Sequence, residues 1–234
     1  MITAYPTTAS SVSSRCQTCT IREIVLFADL TSSDFDSIHG KIEYKVFSPG
    51  EMIFDRGSAG DFLYTIHSGV AKLVRRSDDG RDRIVRVLRQ SDLLGIEALA
   101  TKQYANDAIA LTPLQMCKIP LRVIQELNRL SPRLHARLME KWQQALQDAE
   151  DWIADLNFGT AKKRVANLLL RMRHPDQPHV STVFSRADMG AMLDLKFETV
   201  SREISAFVQN GAIVQIDNMG RVFEIKDEAQ LRRA

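Results

Sequence analysis

Three side chains near the C-terminal end, Glu198, Ser201 and Arg202, stand at i, i+3 and i+4, so in a helix they share one face. These residue types can read DNA bases. A guanidinium grips O6 and N7 of guanine with two hydrogen bonds, and a carboxylate accepts from the cytosine amino group. A hydroxyl serves a base edge or a phosphate. The plainer alternative is a surface Glu–Arg pair at i, i+4, which contributes only ~0.3–0.5 kcal/mol. A second group is made of thiols: Cys16 and Cys19 form a C-x-x-C pair, and Cys117 is the one other cysteine. Such a pair can act as a dithiol–disulfide switch. Zinc is the weaker reading, because no second C-x-x-C or suitable histidine pair accompanies it. The third is a buried core Cys117 with an idle N-terminal pair.

The elements that must position the first group are legible around it. Ser185-Arg186-Ala187-Asp188 has the form of a capping box with Asp in the reciprocal position, so a helix begins there. It runs through Met189, Met192 and Leu193 to a turn at Asp194-Leu195-Lys196. A second helix starts near Phe197, is expected to bury Val200, Ile204, Phe207 and Val208, and stops at Gly211. "AIVQI", Asp217-Asn218-Met219-Gly220 and "RVFEI" then make a hairpin. Two short helices joined by a tight turn and followed by a β-hairpin are the pattern of a winged helix-turn-helix, whose second helix enters the major groove. In that setting base reading by Glu198, Ser201 and Arg202 outweighs the surface pair. Thr199, Arg186 and Lys196 join them as DNA-binding candidates. Ahead of the motif, Val165, Leu168, Leu169 and Met172 share one helix face, with Lys162, Lys163, Arg164, Arg171 and Arg173 largely outside it.

Further upstream the period changes twice. Leu134, Leu138, Trp142, Ala145, Ala149, Trp152 and Leu156 recur at spacings of four and three, the seam of a coiled coil. Internal core is one use for such a helix. The narrow Trp/Ala stripe favours a two-fold homodimer through Leu138, Trp142, Ala145, Ala149 and Trp152. From Lys41 to Ile119 the chain reads as short strands between turn signals, among them "IEYKVF" before Ser48-Pro49-Gly50, and Asp78-Asp79-Gly80 before "RIVRVLR". Glycines 50, 57, 60 and 69 suit positive-φ corners there. The fold class expected is α+β.

Composition bounds the rest. The chain has 234 residues, 44% of them hydrophobic and 26% charged, with a net charge of +2 that neither demands nor excludes a polyanionic partner. No apolar run approaches the ~20 residues that span a bilayer, and the N-terminus lacks the charged-then-apolar order of a signal peptide. A cytoplasmic protein with no membrane partner is expected. There is no H-E-x-x-H, no phosphate-cradling glycine loop and no G-x-S-x-G. The C-x-x-C follows a Ser/Thr-rich leader rather than opening a helix in a βαβ unit, so an enzyme is not expected.

From Cys16 onward the chain resembles the CRP/FNR family of bacterial transcription regulators, its FNR branch in particular. The resemblance is carried by "SPGEMIFDRGSAGDFLYTIHSGVAKL", by the long helix, and by "FSRADMGAMLDLKFETVSREISAFVQNG" with its E-x-x-S-R signature at Glu198, Ser201 and Arg202. It implies an N-terminal cyclic-nucleotide-binding-like β-roll, a long dimerisation helix and a C-terminal winged helix-turn-helix. The expected division is 1–22 leader, 23–130 β-roll sensor, 131–157 dimerisation helix and 158–234 DNA-binding domain. It also implies a homodimer on double-stranded DNA at a TTGAT-type inverted repeat, contacting RNA polymerase, usually as an activator. Phe197, just before the signature, is bulkier than the aliphatic residue usual there.

The resemblance suggests three candidate effector readings: cyclic AMP, oxygen sensed through an iron–sulfur cluster, and redox state sensed by the cysteines as a dithiol switch without a cluster. For cyclic AMP it implies a Gly-Glu pair for the ribose and an Arg-Ser pair for the phosphate; here Ile96 follows Gly95, and Asn106-Asp107 replace Arg-Ser. An anionic phosphate beside Asp107 with no arginine is repelled, so cyclic AMP is not expected. For an iron–sulfur cluster it implies four cysteines. Cys16, Cys19 and Cys117 fall on three of the places, and Val25 occupies the fourth. Such a cluster here needs a carboxylate, Glu23 or Asp29, or an external ligand.

Overall fold

The computed structural model describes residues 41–234 except 79, 131 and 175. They fall into two compact units, one running up to Arg75 and resuming over Arg86–Leu146, the other made of Arg76–Val85 and Gln147–Ala234.

Short alternating runs and turn residues make the first unit a β-roll. Its strands are β1 (Glu43–Phe47), β2 (Met52–Phe54), β3 (Phe62–Ser68), β4 (Ala71–Arg76), β5 (Asp82–Leu88, whose residues 82–85 belong to the second unit), β6 (Leu93–Leu94), β7 (Asp107–Ala110) and β8 (Leu114–Pro120). Helix α1 (Ala98–Thr101) precedes β7, and α2 (Leu121–Leu130) follows β8. Two four-stranded sheets result, ordered β1-β8-β3-β6 and β2-β7-β4-β5. The register sets Leu63 opposite Ile119 and Thr65 opposite Cys117. Residues two apart point to the same face, so Leu114 and Met116 both go into the core. A cluster of Ile42, Leu63, Ile96, Ile119, Ile124 and Leu127 seals α2 against the sheet.

Gly50, Gly57 and Gly69 adopt the positive φ expected of them. Gly60 does not, and its reason is close packing: a Cβ there would sit 2.3 Å from Cβ of Ala98.

Helix α3 (Pro132–Leu156) opens on a proline, whose missing N–H costs nothing in a first turn. Its apolar residues divide between two faces. Leu134, Leu138, Trp152 and Leu156 are buried within the chain, with Leu134 and Leu138 joining the roll's core cluster. Met139, Trp142, Leu146 and Ile153 face solvent at spacings of three, four and seven. The dimer face expected from the sequence therefore needs correction at Leu138 and Trp152, which are core residues. Ala145 and Ala149 are half-buried.

The second unit contains α4 (Ala161–Arg171), β9 (Arg173–His174), β10 (Gln177–Thr182), α5 (Arg186–Leu193), α6 (Phe197–Gln209), β11 (Ile213–Gln215), β12 (Val222–Ile225) and α7 (Glu228–Arg232). Thr160 caps α4 by accepting from the Lys163 N–H, and Val165, Leu168, Leu169 and Met172 are buried as the periodicity predicts. The sheet has four strands, ordered β11-β12-β10-β9. The pair β9–β10 has no counterpart in the sequence reading. It is short, and Pro178 interrupts the usual strand signal. What anchors β10 is the buried Ser181 hydroxyl, which donates to the Leu169 carbonyl at 2.7 Å.

Candidate nucleic-acid interface

Local chemistry builds the two-helix motif at both ends. Ser185 caps α5, accepting from the Asp188 N–H at 3.1 Å and donating its hydroxyl to Asp188 Oδ2 at 2.6 Å. Asp194 closes α5 in the left-handed conformation at φ 54°, and the next N–H, from Leu195, turns back to the Gly190 carbonyl at 3.1 Å. Gly190 is required there, because a Cβ would lie 2.6 Å from the Leu195 carbonyl oxygen. Arg164 of α4 supports the same turn by donating to the Leu193 carbonyl at 2.7 Å. Arg83 adds a second support: its Nη1 lies 3.3 Å from Asp194 Oδ1, and its other amino group donates to Asn157 Oδ1. Burial lowers the Arg83 pKa, and the Asp194 carboxylate opposes that shift. Neither arginine was singled out for this role from the sequence. Arg164 stands on the expected outer face of its helix, and nothing local links residue 83 to residue 194.

Helix α6 presents two unlike faces. Val200, Ile204 and Phe207 are buried, whereas Glu198 and Arg202 are exposed and Ser201 and Thr199 are half-covered. The expected i, i+3, i+4 trio thus lies on the outward side of the helix. Val208, expected in the core, is partly exposed instead, because it sits one residue around from Phe207 at the helix end. Lys196 is exposed at the N-cap and makes no side-chain cap. Arg186 has another setting: its guanidinium stands 5.6 Å over the Phe223 ring and donates to Met189 Sδ at 3.5 Å. Burial lowers its pKa, partly offset by Asp217. It links α5 to the β-hairpin more than it projects outward.

That hairpin is held by one carboxylate. Asp217 accepts N–H bonds from Val222 and Arg221, both at 2.9 Å, and from Met219 at 3.1 Å. Desolvation alone would raise its pKa; the three amides outweigh that and hold it below the ordinary value of 3.8.

In the roll, the positions compared with a cyclic-nucleotide site are filled by the chain itself. Ile96 belongs to the core cluster. Asp107 Oδ1 accepts from the Arg56 N–H at 2.7 Å, so a carboxylate already occupies a backbone donor there. Cys117 lies on β8, half-buried against the core. Cys16 and Cys19 lie outside the described residues, as do Glu23, Val25 and Asp29. Among the described residues no three metal-binding side chains come together, and no helix is long and apolar enough to cross a membrane.

Comparison with known proteins agrees with both halves of this geometry. Residues 44–129 match the cyclic nucleotide-binding domain family, and residues 163–234 match the Crp-like helix-turn-helix domain family. The chain is 29% identical over 209 residues to the transcriptional activator protein FnrL of Cereibacter sphaeroides, covering 85% of this chain and 84% of that one. It is also 29% identical over 205 residues to the transcriptional activator protein anr of Pseudomonas aeruginosa, with the same coverage. Its fold is similar to that of FixK2 from Bradyrhizobium japonicum, with a TM-score of 0.74 at 21% identity over 82% of this chain and 96% of that one. With a cyclic-nucleotide-binding-type roll ahead of a Crp-like DNA-binding motif, and activators of the FNR and Anr type among its relatives, the chain belongs to the CRP/FNR family of transcription regulators.

Proposed function

We propose that the protein binds DNA as a homodimer, reads an FNR-like inverted repeat with α6 in the major groove, and activates transcription by contacting RNA polymerase. The observation that carries the reading is the face of α6, where Glu198, Ser201 and Arg202 point outward while Val200, Ile204 and Phe207 fix the helix in its unit. The sensor is assigned to residues 23–130, the dimerisation helix to 131–157 and the DNA-binding part to 158–234. The dimer forms through Met139, Trp142, Leu146 and Ile153, the apolar residues of α3 that the chain leaves uncovered. Enrichment of binding sites from random duplexes is the test. An inverted repeat with guanine and cytosine fixed in each half supports the reading, and no enriched sequence refutes it.

The signal proposed is oxygen or redox state, acting through Cys16, Cys19 and Cys117. An iron–sulfur cluster of this kind takes four thiolates. The chain supplies three cysteines in all, so its thiols by themselves do not complete the set. No step is assigned to a cluster here. Iron and acid-labile sulfide in anaerobically purified protein would establish one with a non-cysteine ligand. Iron-free protein whose thiol count falls on oxidation, with a change in DNA affinity, would establish the dithiol switch. Cyclic AMP is not assigned as effector, because Ile96 is core and Asp107 places a carboxylate where a phosphate would need cations. Unchanged DNA affinity on adding cyclic AMP is the expected result.

A further inference from the structure

Among the described residues, β4, β5 and α3 run from the first unit into the second. Strand β5 makes that passage within seven residues. Its Leu88 is fully buried and belongs to the first unit, whereas its residues up to Val85 belong to the second. Arg83 stands in the second part, and its guanidinium meets two places far away in the sequence. One amino group donates to Oδ1 of Asn157, the residue directly after α3. The other, Nη1, lies 3.3 Å from Asp194 Oδ1. Asp194 is the left-handed residue that closes α5, three residues before α6 begins.

An exposed ion pair would fix little, and Asp194 is itself exposed. Arg83 is not: its side chain is 29% exposed, and its Nη1 is buried with no hydrogen-bond partner. Asp194 is therefore the charge that compensates it, and removing one partner leaves a buried charge uncovered. Arg81, ahead of the same strand, lies 3.9 Å from the same carboxylate oxygen. A guanidinium is also a planar fork, so holding Asn157 with one arm restricts where the other can hold Asp194. The turn is thereby tied at once to β5 and to the end of α3, and both elements continue into the first unit. We infer that Arg83 is a positioning residue for DNA reading: through Asp194 it sets the turn ahead of α6, so that the packing of β5 in the roll governs affinity for the DNA site. The inference rests on α6 being the reading helix, and on no particular effector. Coupling of this kind has to be measured between its two ends, since adjacency alone does not establish it.

The test uses the full-length protein, a site that it enriches from random duplexes, and a scrambled duplex. Asp194→Asn removes the charge and keeps a residue that tolerates the left-handed conformation. It and Arg83→Ala should each lower affinity for the enriched site about ten-fold, a size usual for coupled sites, with scrambled DNA bound nearly as before. The double variant should lose no more than either single one. Arg83→Lys keeps the charge without the fork and should fall between wild type and Arg83→Ala; with Asp194→Asn it decides the matter if Arg83→Ala does not fold. Leu88→Val, a small trim at the roll end of β5, should weaken specific binding in the wild-type background and have no effect beside Asp194→Asn. Additive losses overturn the inference, as do equal losses on scrambled DNA. A Leu88→Val effect that is absent, or the same in both backgrounds, overturns it too. Each of these results leaves DNA reading by α6 intact, whereas a protein that enriches no sequence overturns both readings at once.

Discussion

Nε of Arg202 lies 3.4 Å from Oε1 of Glu203, and Glu198 makes no ion pair among the described residues. The i, i+4 pair between Glu198 and Arg202, the ordinary surface explanation for this spacing, is therefore not formed. The Arg202–Glu203 contact is long and the arginine is exposed, so it is weak enough to be exchanged for a base.

Arg202→Ala should weaken binding to the enriched site by ~1–3 kcal/mol and relax the preference for guanine at one position. Titration of the variant against specific and scrambled duplexes checks this. Equal losses on the two would make Arg202 a phosphate contact.

Leu138 and Met139 are neighbours on α3, yet the first is 3% exposed and the second 48%. Leu146→Glu, on the outer stripe with Met139, should shift sedimentation from dimer to monomer without changing the melting of the chain. Leu138→Ala should instead destabilise the roll by ~2–5 kcal/mol through lost packing. If Leu146→Glu stays dimeric, the outer stripe is not the interface.

Gly190→Ala places a Cβ 2.6 Å from the Leu195 carbonyl oxygen, against backbone that has no flexible end to move aside. The C-terminal unit should lose ~1–3 kcal/mol, as overpacked sites do, and DNA affinity should fall with it. Thermal unfolding followed beside DNA binding decides this; an unperturbed variant would mean the turn relaxes freely.

The β-hairpin should loosen in acid. The Asp217 pKa is lowered in the folded protein, so its contribution is complete above the ordinary value of 3.8 and is lost as pH falls through the lower folded value. Amide shifts of Met219, Arg221 and Val222 should titrate together with a midpoint below 3.8, and Asp217→Asn should abolish the step. A midpoint at or above 3.8 would show that the amides do not hold the carboxylate.

The sequence by itself determined whatever depends on neighbours along the chain. The Ser185 cap, the turn at Asp194-Leu195-Lys196, the start of α6 at Phe197 and its stop before Gly211 all follow from short-range hydrogen bonding and backbone preference. So do the positive-φ corners at Gly50, Gly57 and Gly69, and the outward placing of Glu198 and Arg202 opposite a regular apolar stripe. Tertiary structure decided which of two apolar stripes on α3 the chain covers itself. Residues 138 and 139 lie only about 100° apart on a helix, so spacing alone merges the stripes, and only the core around Leu134 and Leu138 separates them. It also decided that Gly60 makes room for Ala98, that Arg164 and Arg83 brace the turn before α6, and that Arg186 packs over Phe223. Each of these is a contact between residues distant in sequence. Its partner is fixed by how the elements pack, a choice that neither propensity nor period encodes.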